Sequence, residues 1–94
     1  MNVLQRIHQL VRERCYYLSA HAEEEMWADN LERADVEHCL LHGRLEKRLS
    51  HDARGTRYRI EGVSLDERLM HVICRFHPVG DRLIITVYVV EVQR

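Results

Sequence analysis

Arg57 and Arg59, His71 and Arg75, and Thr86 and Tyr88 each fall at even spacing inside apolar stretches with a period of two. On a strand such spacing sends both members of a pair to the same side. Met70, Val72, Cys74 and Phe76 form a wholly apolar set that must turn inward, as do Leu83, Ile85, Val87 and Val89. In the stretch 57–63, Arg57, Arg59 and Glu61 alternate with Tyr58, Ile60 and Gly62. The outward face would then carry Arg57, Arg59, His71, Arg75, Thr86 and Tyr88, a cationic patch holding an imidazole and a phenol. Cleavage of RNA by its own 2′-hydroxyl needs a proton acceptor, a proton donor to the leaving oxygen and fixed positive charge on the phosphate. Histidine titrates near neutrality and can fill either proton role. Arginine offers a fork of donors matched to phosphate, and tyrosine can stack on a base or donate a proton. An antiparallel sheet with one wet face would also carry polar residues there without doing chemistry. Spacing alone leaves both readings open.

The elements that must position these groups divide the chain in two. Val3, Leu4, Ile7, Leu10 and Val11 recur at three- and four-residue steps, which predicts a helix over about residues 2–15. Tyr16–Leu18 reads as a short extended link. Ser19 is a good N-cap for a second helix, about 20–28, whose first turn is rich in Glu, and Asn30 is a stop signal. A third helix, about 32–42, would bury Val36, Cys39 and Leu40, with Gly43 expected as a left-handed C-cap. Beyond it, Arg44–Leu49, Arg57–Val63, Leu69–Phe76 and Leu83–Val92 read as four strands joined by short turns, hence as antiparallel neighbours. The expected fold is α+β: two to three N-terminal helices on one face of an antiparallel four-stranded sheet.

At 94 residues the chain fits one domain spanning 1–94. No apolar run approaches the ~20 residues that span a bilayer. The first residues lack the layout of a signal peptide, so the expected location is the cytoplasm. Cys15, Cys39 and Cys74 contain no Cys-x-x-Cys pair and read as free thiols, with neither a disulfide framework nor a metal or other cofactor indicated. A net charge of −1 hides strong segregation. Residues 23–37 are acidic and residues 44–59, including Arg54, are basic, so one face could meet an anion.

Other groups carry weaker signals. His38 and His42 stand at metal-sharing spacing, but no third ligand is evident and a solvated helix flank explains them. His21 and Glu25 could anchor the second helix or border a site. His8, His51 and His77 are expected on surfaces or in loops. Trp27 is expected in the core or as a staple rather than as a base platform. No Gly-rich phosphate loop and no Gly-x-Ser-x-Gly elbow occurs.

Three stretches carry a family resemblance: Ser19-Ala-His-Ala, Ala34-Asp-Val-Glu with Leu40-Leu-His-Gly, and His71-Val-Ile-Cys with Leu83-Ile-Ile-Thr-Val-Tyr. With Gly55, Tyr58 and Gly62 between them, they resemble a small bacterial and archaeal domain-of-unknown-function family allied to the RelE/BrnT-like toxins of type II toxin–antitoxin systems. The resemblance covers about residues 3–90. It implies a RelE/BrnT-like fold, an antitoxin partner and RNA cleavage, on or off the ribosome, with His21, His71 and Tyr88 matching the family pattern. Together with the face derived above, the expected catalytic set is His71, Tyr88, Arg75 and His21, and the expected RNA-binding set is Arg57, Arg59 and Arg54. Family members carry arginine where this chain has Ala20, Glu25 and Asp29. Those substitutions favour the second reading, a catalytically inactive member that keeps the fold as a protein-binding module. Homo-oligomerisation stays open.

Overall fold

The chain begins with a helix, α1 (Val3–Arg12), whose Asn2 side chain accepts from the Gln5 amide while the Gln5 side chain returns a bond to Asn2. This reciprocal cap satisfies two otherwise orphaned amides. A computed structural model describes residues 2–49 and 55–90. α1 stops three residues short of the expected end because Arg14 is left-handed (φ 57°) and the Cys15 amide reaches back to the Leu10 carbonyl. Next come β1 (Tyr16–Leu18), α2 (Ala20–Ala28), α3 (Arg33–His42), β2 (Arg44–Leu49), β3 (Arg57–Val63), β4 (Leu69–Phe76) and β5 (Leu83–Val89). Ser19 caps α2 through the Ala22 amide, as its type and place predict. The expected end of the last strand at Val92 lies outside the described residues.

The strands form one sheet in the order β1-β5-β4-β3-β2. The four expected strands are present and pair antiparallel. The link Tyr16–Leu18, however, is a fifth strand, paired in parallel with Leu83–Ile85. The sheet is therefore mixed. Residues 16–18, which follow α1 directly, lie along the free edge of β5, where unpaired amides would otherwise remain. Beyond Leu18 the chain leaves that edge, and α2 begins beside Thr86.

Alternation sorts the two faces. Val72, Cys74, Met70, Ile60, Leu83, Ile85 and Val87 are buried against Ile7, Leu10, Ala22, Met26, Val36 and Leu40. Phe76, also expected inside, is only partly buried and packs edge-on against Tyr58 at the margin. The three cysteines are free, with Cys39 and Cys74 buried. Burial pushes both of these thiols up to about 12.

Gly43 corrects an expectation. It is extended (φ −81°, ψ −180°) rather than left-handed. Its lack of a side chain serves close approach: a Cβ there would lie 2.5 Å from the Cys39 carbonyl and 2.6 Å from that of Glu61. Gly62 is also confined, though less tightly, with a Cβ position 2.9 Å from the Cys39 carbonyl. Two glycines packed against each other thus let the end of α3 settle directly on β3. Among the described residues, no helix is long and apolar enough to cross a membrane.

Candidate anion-binding face of the sheet

On the face away from α1 and α3, the ladder registers arrange the polar side chains in three rows. Arg44, Glu61, His71 and Tyr88 form one row across β2, β3, β4 and β5. Lys47, Arg59, Ile73 and Thr86 form the second. The register of β3 with β4, carried one residue beyond Tyr58↔Cys74, sets Arg57 opposite Arg75, which faces Ile84, which faces Tyr17 of β1. Neighbours within a row stand on adjacent strands, about 4.8 Å apart, and rows follow one another at roughly 6.6 Å.

A cavity of about 310 Å³ opens on this face. Arg57, Arg75, Thr86, Tyr88 and Ser19 surround it, with Ile73, Ile84 and Cys74 between them. Two arginines side by side across a ladder repel each other. Neither meets a carboxylate in the ion pairs formed among the described residues. The Arg57 Nε is buried and makes no hydrogen bond among the described residues. A buried guanidinium donor without a partner is costly. The pocket is therefore lined by two guanidinium groups that no carboxylate among the described residues neutralises, a setting that suits a phosphate.

The row beside the cavity is organised differently. Nε2 of His71 lies 2.9 Å from Oε2 of Glu61, and the Arg44 guanidinium holds the other carboxylate oxygen at 2.8 Å. An ionised carboxylate only accepts, so Nε2 donates in this contact, and Nδ1 is the ring nitrogen that the carboxylate leaves unengaged. The bonds from His71 and Arg44 hold the Glu61 carboxyl below the ordinary carboxylate range. Tyr88 stands opposite His71 in the ladder, and its ring lies 5.5 Å from that of His21 at the start of α2. Two histidines thus flank one phenol. Ser19 Oγ and Thr86 Oγ1, 3.3 Å apart, tie the same end of α2 to β5.

The residues expected from the sequence divide accordingly. Arg57, Arg75, Tyr88, His71 and His21 are brought to one region of the face. His71 does not itself line the cavity; it adjoins it through Tyr88. Arg59 is spoken for, since Glu46 holds it in a two-pronged ion pair (2.5 and 3.2 Å). That pairing exists because β2 bulges between Leu45 and Lys47 and re-aims the intervening Glu46. Arg54 lies outside the described residues, as does His51. Glu61 was not among the expected site residues, although strand parity already placed it on the face.

Trp27, expected in the core, is 86% exposed. Ala22 and Met26 define the buried side of α2, and Trp27, one residue on, is turned about 100° away from Met26. His38, expected on a solvated flank, is half-buried, with Nδ1 3.0 Å from the Val63 carbonyl oxygen. Among the described residues no group of three or more His, Cys, Asp or Glu side chains is placed to hold a metal.

Comparison with known proteins adds one relation. The family model of a domain of unknown function, DUF4258, matches residues 18–89, from the end of β1 to the end of β5. No curated protein and no solved structure matches the chain.

Proposed function

The chain belongs to the DUF4258 family of domains of unknown function, and from that premise we propose that it is a toxin-like endoribonuclease, allied to the RelE/BrnT-like toxins of type II toxin–antitoxin systems. The observation that carries the reading is the pair Arg57 and Arg75, which meets no carboxylate in the ion pairs among the described residues, on the same sheet face as an imidazole held by a carboxylate two rows away. In this reading an RNA phosphodiester binds in the cavity with its non-bridging oxygens toward the two guanidinium groups. Nδ1 of His71, set in its tautomer by Glu61, takes the proton of the 2′-hydroxyl. The oxygen attacks the adjacent phosphorus, a cyclic phosphate forms, and the 5′-oxygen leaves with a proton from Tyr88 or His21. Arg57 and Arg75 stabilise the charge that grows on the phosphate in between. The partner is an antitoxin that covers this face in the cytoplasm.

A second reading rests on a different surface. Glu23 and Glu24, four and three residues before the exposed Trp27, fall on its side of α2, which suits a protein-binding module without catalysis. Induced expression separates the two. The endoribonuclease reading predicts growth arrest with loss of intact mRNA for wild type, and relief of both in His71→Ala and in Arg57→Ala. Arrest that persists in those variants and disappears in Trp27→Ala would favour the binding module.

A further inference from the structure

The row that contains the arginine pair does not end at the cavity. Arg57, Arg75 and Ile84 lead across the sheet to Tyr17 on β1, with no acidic residue among them. Tyr17 is 50% exposed on the same face, whereas its neighbour Tyr16 is buried and bonded to Glu37 at 2.8 Å. The Arg82 guanidinium lies over the Tyr17 ring, 5.1 Å from its centroid, and the His77 ring stands 6.4 Å away, tilted by 59°. Arg82 forms no ion pair with a carboxylate among those of the described residues, while the adjacent Asp81 is taken by Arg6. An aromatic ring, a cation and an imidazole are thus gathered at the sheet edge, in line with the anion pocket and two strands, about 10 Å, from Arg75.

We propose that Tyr17, backed by Arg82 and His77, is the stacking platform for a nucleobase next to the phosphate held by Arg57 and Arg75. The proposal rests on RNA being the ligand of this face, and adds how the strand lies: across the β-strands, phosphate over β3 and β4, base over β1. A ring face accepts any base, because every base has a π-face, so the platform gives affinity with little sequence preference. Arg82 adds charge beside the same base.

The test uses a labelled 2′-O-methyl oligouridylate, which lacks the attacking hydroxyl, and an abasic 2′-O-methyl oligomer of the same length, with binding read by fluorescence anisotropy at low salt. Tyr17→Ala is expected to weaken the base-bearing oligomer about five- to a hundredfold and to leave the abasic one unchanged. Tyr17→Phe keeps wild-type binding of both, which also shows that the edge strand is intact. Arg75→Ala weakens both oligomers alike. Tyr17→Ala binding the oligouridylate as wild type does, or losing both oligomers equally, overturns the platform. Unchanged binding of both oligomers by Arg75→Ala overturns the anion pocket instead. Failure of wild type to bind either oligomer overturns both.

Discussion

Glu61 holds His71 across the β3–β4 ladder, with Oε2 2.9 Å from Nε2. The carboxylate fixes Nε2 as a donor, and in the proposed mechanism Nδ1 is the base on the face that bears Arg57 and Arg75. Glu61→Gln should therefore keep the fold and lower RNA cleavage, because an amide can offer its N–H to Nε2 and reverse the tautomer. The pH–rate profile is the informative readout, since its acid limb reports the essential base. A change in the position or height of that limb in Glu61→Gln is expected, and an unaltered profile would make the pair merely structural.

Stability should fall with acid in two stages. Burial, with help from the Arg12 charge, pulls His8 below its ordinary value. The unfolded chain then binds a proton that the folded one refuses, so stability declines as pH drops below about 6.5. Glu61, Glu46 and Asp66 are lowered chiefly by their bonds to His71, Arg59 and Ser64 respectively. Their contribution is present above about pH 4.3 and is lost as pH falls through their depressed values. Thermal melts against pH should show both declines in wild type and only the lower one in His8→Gln. A first decline that survives His8→Gln would contradict this assignment.

Gly43 and Gly62 allow α3 to touch β3 with backbone against backbone. Gly43→Ala places a methyl carbon 2.5 Å from the Cys39 carbonyl and 2.6 Å from the Glu61 carbonyl, so one element must move. A loss of about 1–3 kcal/mol in denaturant unfolding is expected. Gly55→Ala gives the comparison case: its added carbon meets nothing within 4 Å, and only its φ of 98° is strained. A Gly43→Ala variant as stable as wild type would show that this contact is looser than the geometry requires.

Much of this arrangement is legible in the chain itself. The alternation of Val72 and Cys74 with His71 and Arg75 assigns the two faces of β4, and Ser19 announces α2, because both signals are local. Tyr16–Leu18 is too short to show a period, and its pairing with Leu83–Ile85 depends on contacts far along the chain. Arg59 looks free beside Arg57 because nothing local marks the bulge that turns Glu46 toward it. Glu61 shares parity with both arginines, yet its sign set it apart from a patch sought for positive charge. Trp27 is misjudged from its bulk, since the helix register of Ala22 and Met26 governs which side of α2 is buried.

Arg57 and Arg75 share a row and meet no carboxylate in the ion pairs among the described residues, so an anion should stabilise the folded state. Inorganic phosphate is expected to raise the melting temperature of wild type by linkage, and to do so much less in Arg57→Leu. In the absence of anion, the same variant should be as stable as wild type or more so, because removing one member ends a like-charge contact worth roughly 0.2–1 kcal/mol. Equal phosphate stabilisation of wild type and Arg57→Leu would remove the pocket as the binding site.

Catalysis on this face is read from the rate at which purified protein, with and without ribosomes, cleaves RNA. Wild type is expected to produce fragments ending in a cyclic or 3′-phosphate, with the rate reduced about 10²–10⁴-fold in His71→Ala while its melting curve stays cooperative. Tyr88→Phe should fall between the two if His21 supplies part of the leaving-group proton. Intact RNA after incubation with wild type under both conditions, or full activity in His71→Ala, would rule out catalysis by His71 on this face.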